Sequence, residues 1–122
     1  MALFRLSAQA EADIVFVLAW SESQFGEMAR RRYERLLATA LRDLGADPEC
    51  VGSVPRPELG QGIRGYHLFH SRERARTDDG IVRRPRHFLL YRAMNPDVVG
   101  IGRVLHDAMD PMQNLPPDYG DD

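Results

Sequence analysis

The chain has 122 residues, 43% hydrophobic and 28% charged, with a formal net charge of −2. That describes one ordinary globular domain, without the positive excess that would announce nucleic acid or a membrane surface as its partner. All sixteen basic residues are arginine, and arginine keeps its proton at working pH, so any general base is confined to His, Asp, Glu or Tyr.

A single cysteine, Cys50, excludes an internal disulfide and fits a reducing compartment. The N-terminus lacks the basic-then-apolar pattern of a secretory signal, and the longest apolar run, Ile14 to Trp20, is too short to cross a bilayer. The expectation is a cytoplasmic protein with no membrane partner.

In chain order, Ala2 to Leu6 reads as a first strand, and Ser7 is placed to N-cap a helix from Ala8 to about Ser23. One face of that helix carries Ala10, Ile14, Val17, Leu18 and Ser21; the opposite face carries Ala12, Phe16, Ala19 and Trp20. A helix apolar on both sides is buried from two directions. After Gln24-Phe25-Gly26 a second helix is marked by Ala29, Tyr33, Leu36, Leu37, Ala40 and Leu44 at helical spacing, with Gly45 where a C-terminal glycine belongs. The short connection favours an antiparallel helix pair.

Residues 46–62, with three prolines and three glycines, read as an irregular connection within the domain. A second strand is expected from Ile63 to about Ser71 and a third from about Arg86 to Ala93. A turn at Asn95-Pro96-Asp97 then leads to a fourth strand, Val98 to His106. Asp79-Gly80 is a two-residue hairpin signal. Centring the turn there sets His70 opposite Leu89, Leu68 opposite Tyr91 and His67 opposite Arg92.

The same register opposes Arg76 to Arg83 and puts Pro85 in a strand, both unfavourable. Residues 71–86 are therefore expected to be a flexible inserted hairpin arm, basic by about +3 at neutral pH. Residues 112–122 are expected to form a flexible tail. This order defines an α+β sandwich, β-α-α-β-β-β, with an antiparallel helix hairpin on one face of a small, mainly antiparallel sheet, in a single domain spanning 1–122.

Several stretches in this order resemble the ParE branch of the RelE/ParE toxin superfamily. They are Leu6-Ser7 with Ala10 and Asp13-Ile14; Ala29 and Tyr33; Pro57-Glu58-Leu59-Gly60 with Gly62-Ile63-Arg64; His87 to Arg92; and Arg103 to His106 followed by Met109-Asp110 and Leu115-Pro116. The resemblance implies the toxin of a type II, plasmid-stabilising toxin–antitoxin module. Such a toxin inhibits DNA gyrase by binding it and is neutralised by a cognate ParD-like antitoxin. The inserted arm departs from the tight turn usual in the family.

On this reading Ala12, Phe16, Ala19 and Trp20 form the antitoxin-binding face, because these antitoxins cover exposed apolar toxin surface. Arg64, Arg92, Arg103 and His106 on the sheet, with Arg72, Arg74 and Arg84 in the arm, are the target-binding candidates. Basic residues of this kind suit phosphates or an acidic protein surface, and any DNA contact would be indirect or through the arm. RelE-type relatives instead cleave ribosome-bound mRNA. The alternative is therefore an endoribonuclease in which Arg64 and Arg92 clamp phosphate while His106 moves a proton. A DNA-binding module working through the arm alone is a third class. His67, His70 and His87 lack metal-ligand spacing with acids or cysteine, and no metal or cofactor is expected.

Overall fold

The computed structural model describes residues 3–115. It contains β1 (Leu3–Leu6), α1 (Ala8–Phe25), α2 (Glu27–Ala46), β2 (Ser53–Pro55), β3 (Arg64–His67), β4 (His87–Asn95) and β5 (Val98–His106). The strands form one mixed sheet in the order β1-β5-β4-β3-β2, with β1 parallel to β5 and every other pair antiparallel. The α+β order expected from sequence is the observed one, with one extra short strand.

Ser7 joins the first strand to the first helix as expected. Its hydroxyl accepts the Ala10 N–H at 3.0 Å and donates to the Gly102 carbonyl at 2.8 Å, while its own N–H continues the parallel ladder onto Ile101. Such a cap is worth about 1 kcal/mol, and here it also ties the helix start to β5. Gly102 lies where the β4–β5 register shifts, a bulge that leaves its carbonyl available. Gly26, at φ +93°, breaks the chain between α1 and α2 in a conformation L-residues avoid.

The core lies between the helix pair and one sheet face. Leu36, Leu37, Ala40, Leu41 and Leu44 of α2 meet Tyr66, Leu68, Leu89, Tyr91, Val99 and Ile101. Leu90 and Leu105 on the other face form a smaller cluster with Leu59, Ile63 and Phe88. Gly45 stays inside α2 at a buried position, and the helix ends one residue later with Asp47 as its extended cap.

Four expectations need correction. The stretch from 46 to 62 contains β2, which pairs with β3 through Ser53–Tyr66, Val54–Gly65 and Pro55–Arg64. The strand expected to reach Ser71 stops at His67. It pairs Tyr66 with Leu89 and His67 with Phe88, in place of His70 with Leu89, Leu68 with Tyr91 and His67 with Arg92. Beyond it, Leu68–Ser71 form a 3₁₀ turn with Leu68 fully buried, capped by His67 Nδ1 accepting the Phe69 N–H.

The third correction concerns residues 71–86, which are not a projecting hairpin arm. Thr77 and Gly80 make one isolated bridge, so the tight turn centres on Asp78-Asp79 rather than Asp79-Gly80. The segment packs instead. Ser71 and Ala75 are buried, Pro85 is buried, and Val82 packs against the core. Polar bonds fix its start: Tyr66 Oη donates to Ser71 Oγ (2.6 Å), and Ser71 Oγ donates to Asp43 Oδ2 (2.7 Å). The same carboxylate oxygen receives Arg74 Nη2 at 2.8 Å. At the other end of the chain, Met112 and Gln113 belong to a 3₁₀ turn over Pro111–Gln113, capped by Asp110, so the expected tail does not begin there. Residues 1–2, which include the expected strand start at Ala2, and 116–122 lie outside the described residues.

Asp43 thus carries the buried end of the segment. Asp43→Ala takes the acceptor from the buried Ser71 hydroxyl and the carboxylate from Arg74, with an expected loss of about 1–3 kcal/mol. The midpoint of urea unfolding measures it. Replacing residues 72–84 by a two-residue turn is expected to lower that midpoint substantially, and an unchanged midpoint would contradict the packing.

Candidate functional site

α1 lies across the end of β5, and Asp13 holds it there. Asp13 Oδ2 accepts Arg103 Nε at 2.8 Å and the Val104 N–H at 2.9 Å, while Oδ1 accepts Arg103 Nη2 at 3.1 Å. The two side chains are only 12% and 14% exposed. With the inner side of α1 so committed, Ala12, Val15, Phe16, Ala19 and Trp20 remain at the surface, Phe16 72% and Trp20 44% exposed. Trp20 packs edge-on against exposed Phe25, ring centroids 5.7 Å apart. The four residues expected to meet an antitoxin therefore share one exposed apolar face, to which the structure adds Val15 and Phe25.

The seven target-binding candidates do not assemble. Arg103 is consumed by Asp13. Arg64 donates to Ser53 Oγ at 2.7 Å, beside the Ser53–Tyr91–Pro48 hydroxyl contacts on the helix-covered side. Arg92 follows core residue Tyr91 in β4, so alternation places it on the opposite sheet face. Arg72 stacks on the Phe69 ring at 4.0 Å, and Arg74 is bound to Asp43. Arg64 pairs with Tyr91 in register and His106 with His87. Two strand spacings sideways and four residues along put their backbones roughly 16 Å apart. Arg84 and His106 do line one cleft, which composition and periodicity did not single out.

That cleft, of about 540 Å³, opens between the α1–α2 elbow and residues 81–86. Val17, Trp20 and Phe25 form its apolar wall, Arg32, Arg83, Arg84 and Arg86 its basic residues, and Tyr33, His87 and His106 lie along the strand ends. Among the described residues no carboxylate lines it. Arg86 reaches Asp107 outside the lining, at 3.2 Å, and Arg32 donates to the Asp79 carbonyl. Neither Arg83 nor Arg84 has an ion-pair partner among the described residues.

The polar groups at the strand ends form a connected set. Tyr33 Oη accepts the Arg86 N–H at 3.1 Å and lies 2.7 Å from His87 Nδ1. The assignment that satisfies every group has the phenol donating to Nδ1, leaving His87 with its proton on Nε2. His106 Nδ1 accepts the Ala108 N–H at 3.0 Å, so its proton is also on Nε2, and the two rings meet edge to face at 5.3 Å. Burial, and then neighbouring His106, push the His87 pKa down to about 4, and burial raises Tyr33 to about 12. Burial works upward on Asp107, but donation from Arg86 and His67 outweighs it and holds that carboxyl below its usual range.

Sequence reasoning did not assign Tyr33, His87, Arg83 or Phe25 to a site. Tyr33 reads as a core position by its spacing, and only a polar handle on that apolar stripe signals a second role. Among the described residues no cluster of His, Cys, Asp and Glu is placed to hold a metal, and no helix is long and apolar enough to cross a membrane.

Residues 4–111 match the ParE toxin of type II toxin–antitoxin system, parDE. The match covers most of the chain, and the chain belongs to that family. It is the toxin partner of an antitoxin in a type II system. A search of curated proteins found no match.

Two measurements probe this region. Asp13→Ala strands a buried guanidinium and is expected to cost about 3–5 kcal/mol in chemical denaturation. His87 gives a pH signature. An unfolded histidine takes a proton near pH 6.5, whereas folded His87 resists until about pH 4. Its contribution is therefore complete above pH 6.5 and lost as pH falls towards 4, by on the order of 3 kcal/mol. His87→Asn keeps an acceptor for Tyr33, and its stability is expected to stay flatter across that window.

Proposed function

We propose that the protein inhibits DNA gyrase by binding it, with no catalysis of its own, and that a ParD-like antitoxin neutralises it by covering the outer face of α1. The observation that carries the second half is the exposed stripe Ala12, Val15, Phe16, Ala19 and Trp20 on a helix whose other side is already packed. Contiguous exposed apolar surface of this kind marks interaction sites, and a helix or extended segment laid along it would bury the two aromatic anchors. Such a module serves plasmid stabilisation, and cytoplasmic action follows from a cytoplasmic target.

Support for inhibition over RNA cleavage comes from where the basic residues go. Arg64 and Arg92 lie on opposite sheet faces, and Arg103 is bound internally. The residues that would clamp a phosphodiester therefore do not surround His106, as general acid–base chemistry requires of its participants. Arg84 and the exposed basic surface near residues 81–86 remain the candidates for target contact.

Induction in cells is expected to stop supercoiling and raise the DNA-damage response while message stays intact. Rapid cleavage of translated mRNA would replace this reading with the ribonuclease one. In the purified toxin–antitoxin complex, Phe16→Asp or Trp20→Asp is expected to weaken binding by at least thirty-fold, as for truncation of an interface anchor. Unchanged affinity with an intact fold would remove α1 as the interface.

A further inference from the structure

We propose that the cleft between the α1–α2 elbow and residues 81–86 is the seat of an acidic, apolar-anchored segment of the antitoxin. This rests on the reading that the antitoxin covers α1. Three observations lead to it. The first is charge. Four arginines line the cleft without one carboxylate among the described residues, on a chain whose formal net charge is −2. Arg83 and Arg84 have no ion-pair partner there, and a guanidinium offers a carboxylate two parallel donors.

The second observation is donor polarity. The Tyr33–His87 bond and the Ala108–His106 bond occupy both Nδ1 atoms, so each imidazole keeps only an Nε2–H to offer. The cleft is thereby built to be complemented by acceptors. The third is continuity. Trp20 belongs both to the exposed stripe of α1 and to the cleft wall, where it meets Phe25 and Val17. A segment running along Ala12, Phe16 and Trp20 enters the cleft without leaving apolar surface, and its volume lies within the range of ligand-binding clefts.

Nucleic acid would answer the charge of the cleft but not the approach to it, because α1 carries Glu11, Asp13 and Glu22 and no basic residue to meet a phosphate backbone, whereas an apolar stripe along one helix suits a peptide. The occupant is thus an antitoxin segment with an aromatic or aliphatic side chain against Trp20 and Phe25 and carboxylates against Arg83 and Arg84. Residues 81–86 then discriminate between antitoxins, because a basic residue at that place in a non-cognate partner would face arginines with no acid to relieve it.

The test uses the purified complex with the antitoxin encoded beside the toxin and follows the rate at which labelled antitoxin dissociates. Arg83→Glu/Arg84→Glu, both at exposed positions, is expected to speed dissociation at least thirty-fold in 50 mM salt, with the gap narrowing in 500 mM. Exchanging the facing antitoxin acid for arginine is expected to restore binding to this variant alone. Arg83→Ala/Arg84→Ala gives a smaller effect of the same sign.

Dissociation unchanged by both double variants, while Phe16→Asp accelerates it, would overturn the cleft proposal and leave the α1 reading standing. Dissociation unchanged by all of them would overturn both. If the glutamate variant instead abolishes binding of the complex to a single-stranded oligonucleotide and leaves antitoxin dissociation unaltered, the occupant is nucleic acid and the proposal fails.

Discussion

Asp13 holds the two layers of this molecule together. β1 is only four residues long, so beyond Leu6 the outer edge of β5 has no strand beside it, and the Val104 N–H needs an acceptor from elsewhere. Asp13 supplies it and binds the Arg103 guanidinium with the same carboxylate. The pair is nearly buried, so it is an arrangement whose halves depend on each other more than a source of surplus stability. Its structural effect is orientation. Asp13 sits at the border of the buried face of α1: Ala10, Val17 and Ser21 turn to the core, while Phe16 and Trp20, three and seven positions after Asp13 and so along its own side of the helix, lie just outside that border and stay exposed.

From that orientation follows the position of the cleft. Trp20 and Phe25 sit over the end of the sheet where β4 begins and β5 finishes, and His87 and His106 are paired in register there. The Tyr33 phenol bridges α2 to this end by accepting from the Arg86 backbone and donating to His87. A charged His87 would first lose its solvation and then face His106; Asp107 offsets this only in part, and His67 and Arg86 add smaller repulsion, which is the reason its pKa falls.

Local signals made much of the fold legible. Ser7 before an apolar run, the spacing from Ala29 to Leu44, and the Pro-containing turn before Val98 each act over a few residues, and each stands where expected. The exposed apolar face of α1 was legible for the same reason, since helical periodicity separates Phe16 and Trp20 from Ile14 and Val17. The register of β3 was not. Asp79-Gly80 is a strong local hairpin signal, but Leu68 gains more by entering the core in a 3₁₀ turn than by continuing a strand. Asp43, twenty-eight residues before Ser71, then anchors the segment that follows. A turn propensity cannot report an acceptor that distant, nor show that the arginines of 72–86 divide between internal partners and the cleft.

That division bears on how recognition would proceed. Every basic group here is an arginine that stays charged, so each one needs water or an acid. Arg103 and Arg74 have acids within the fold, Arg30 and Arg31 have helix neighbours, and Arg86 has Asp107. Arg83 and Arg84 have no such acid among the described residues and lie exposed at the rim of the cleft. At physiological salt their field fades over about 8 Å, and the chain as a whole is slightly acidic, so it would not draw an acidic partner from a distance. Apolar contact with Phe16 and Trp20 must come first. The arginines then act at contact range, where a correctly placed carboxylate replaces their water and a misplaced or basic group does not. In such an interface the aromatic stripe supplies most of the affinity and Arg83 and Arg84 the choice between partners.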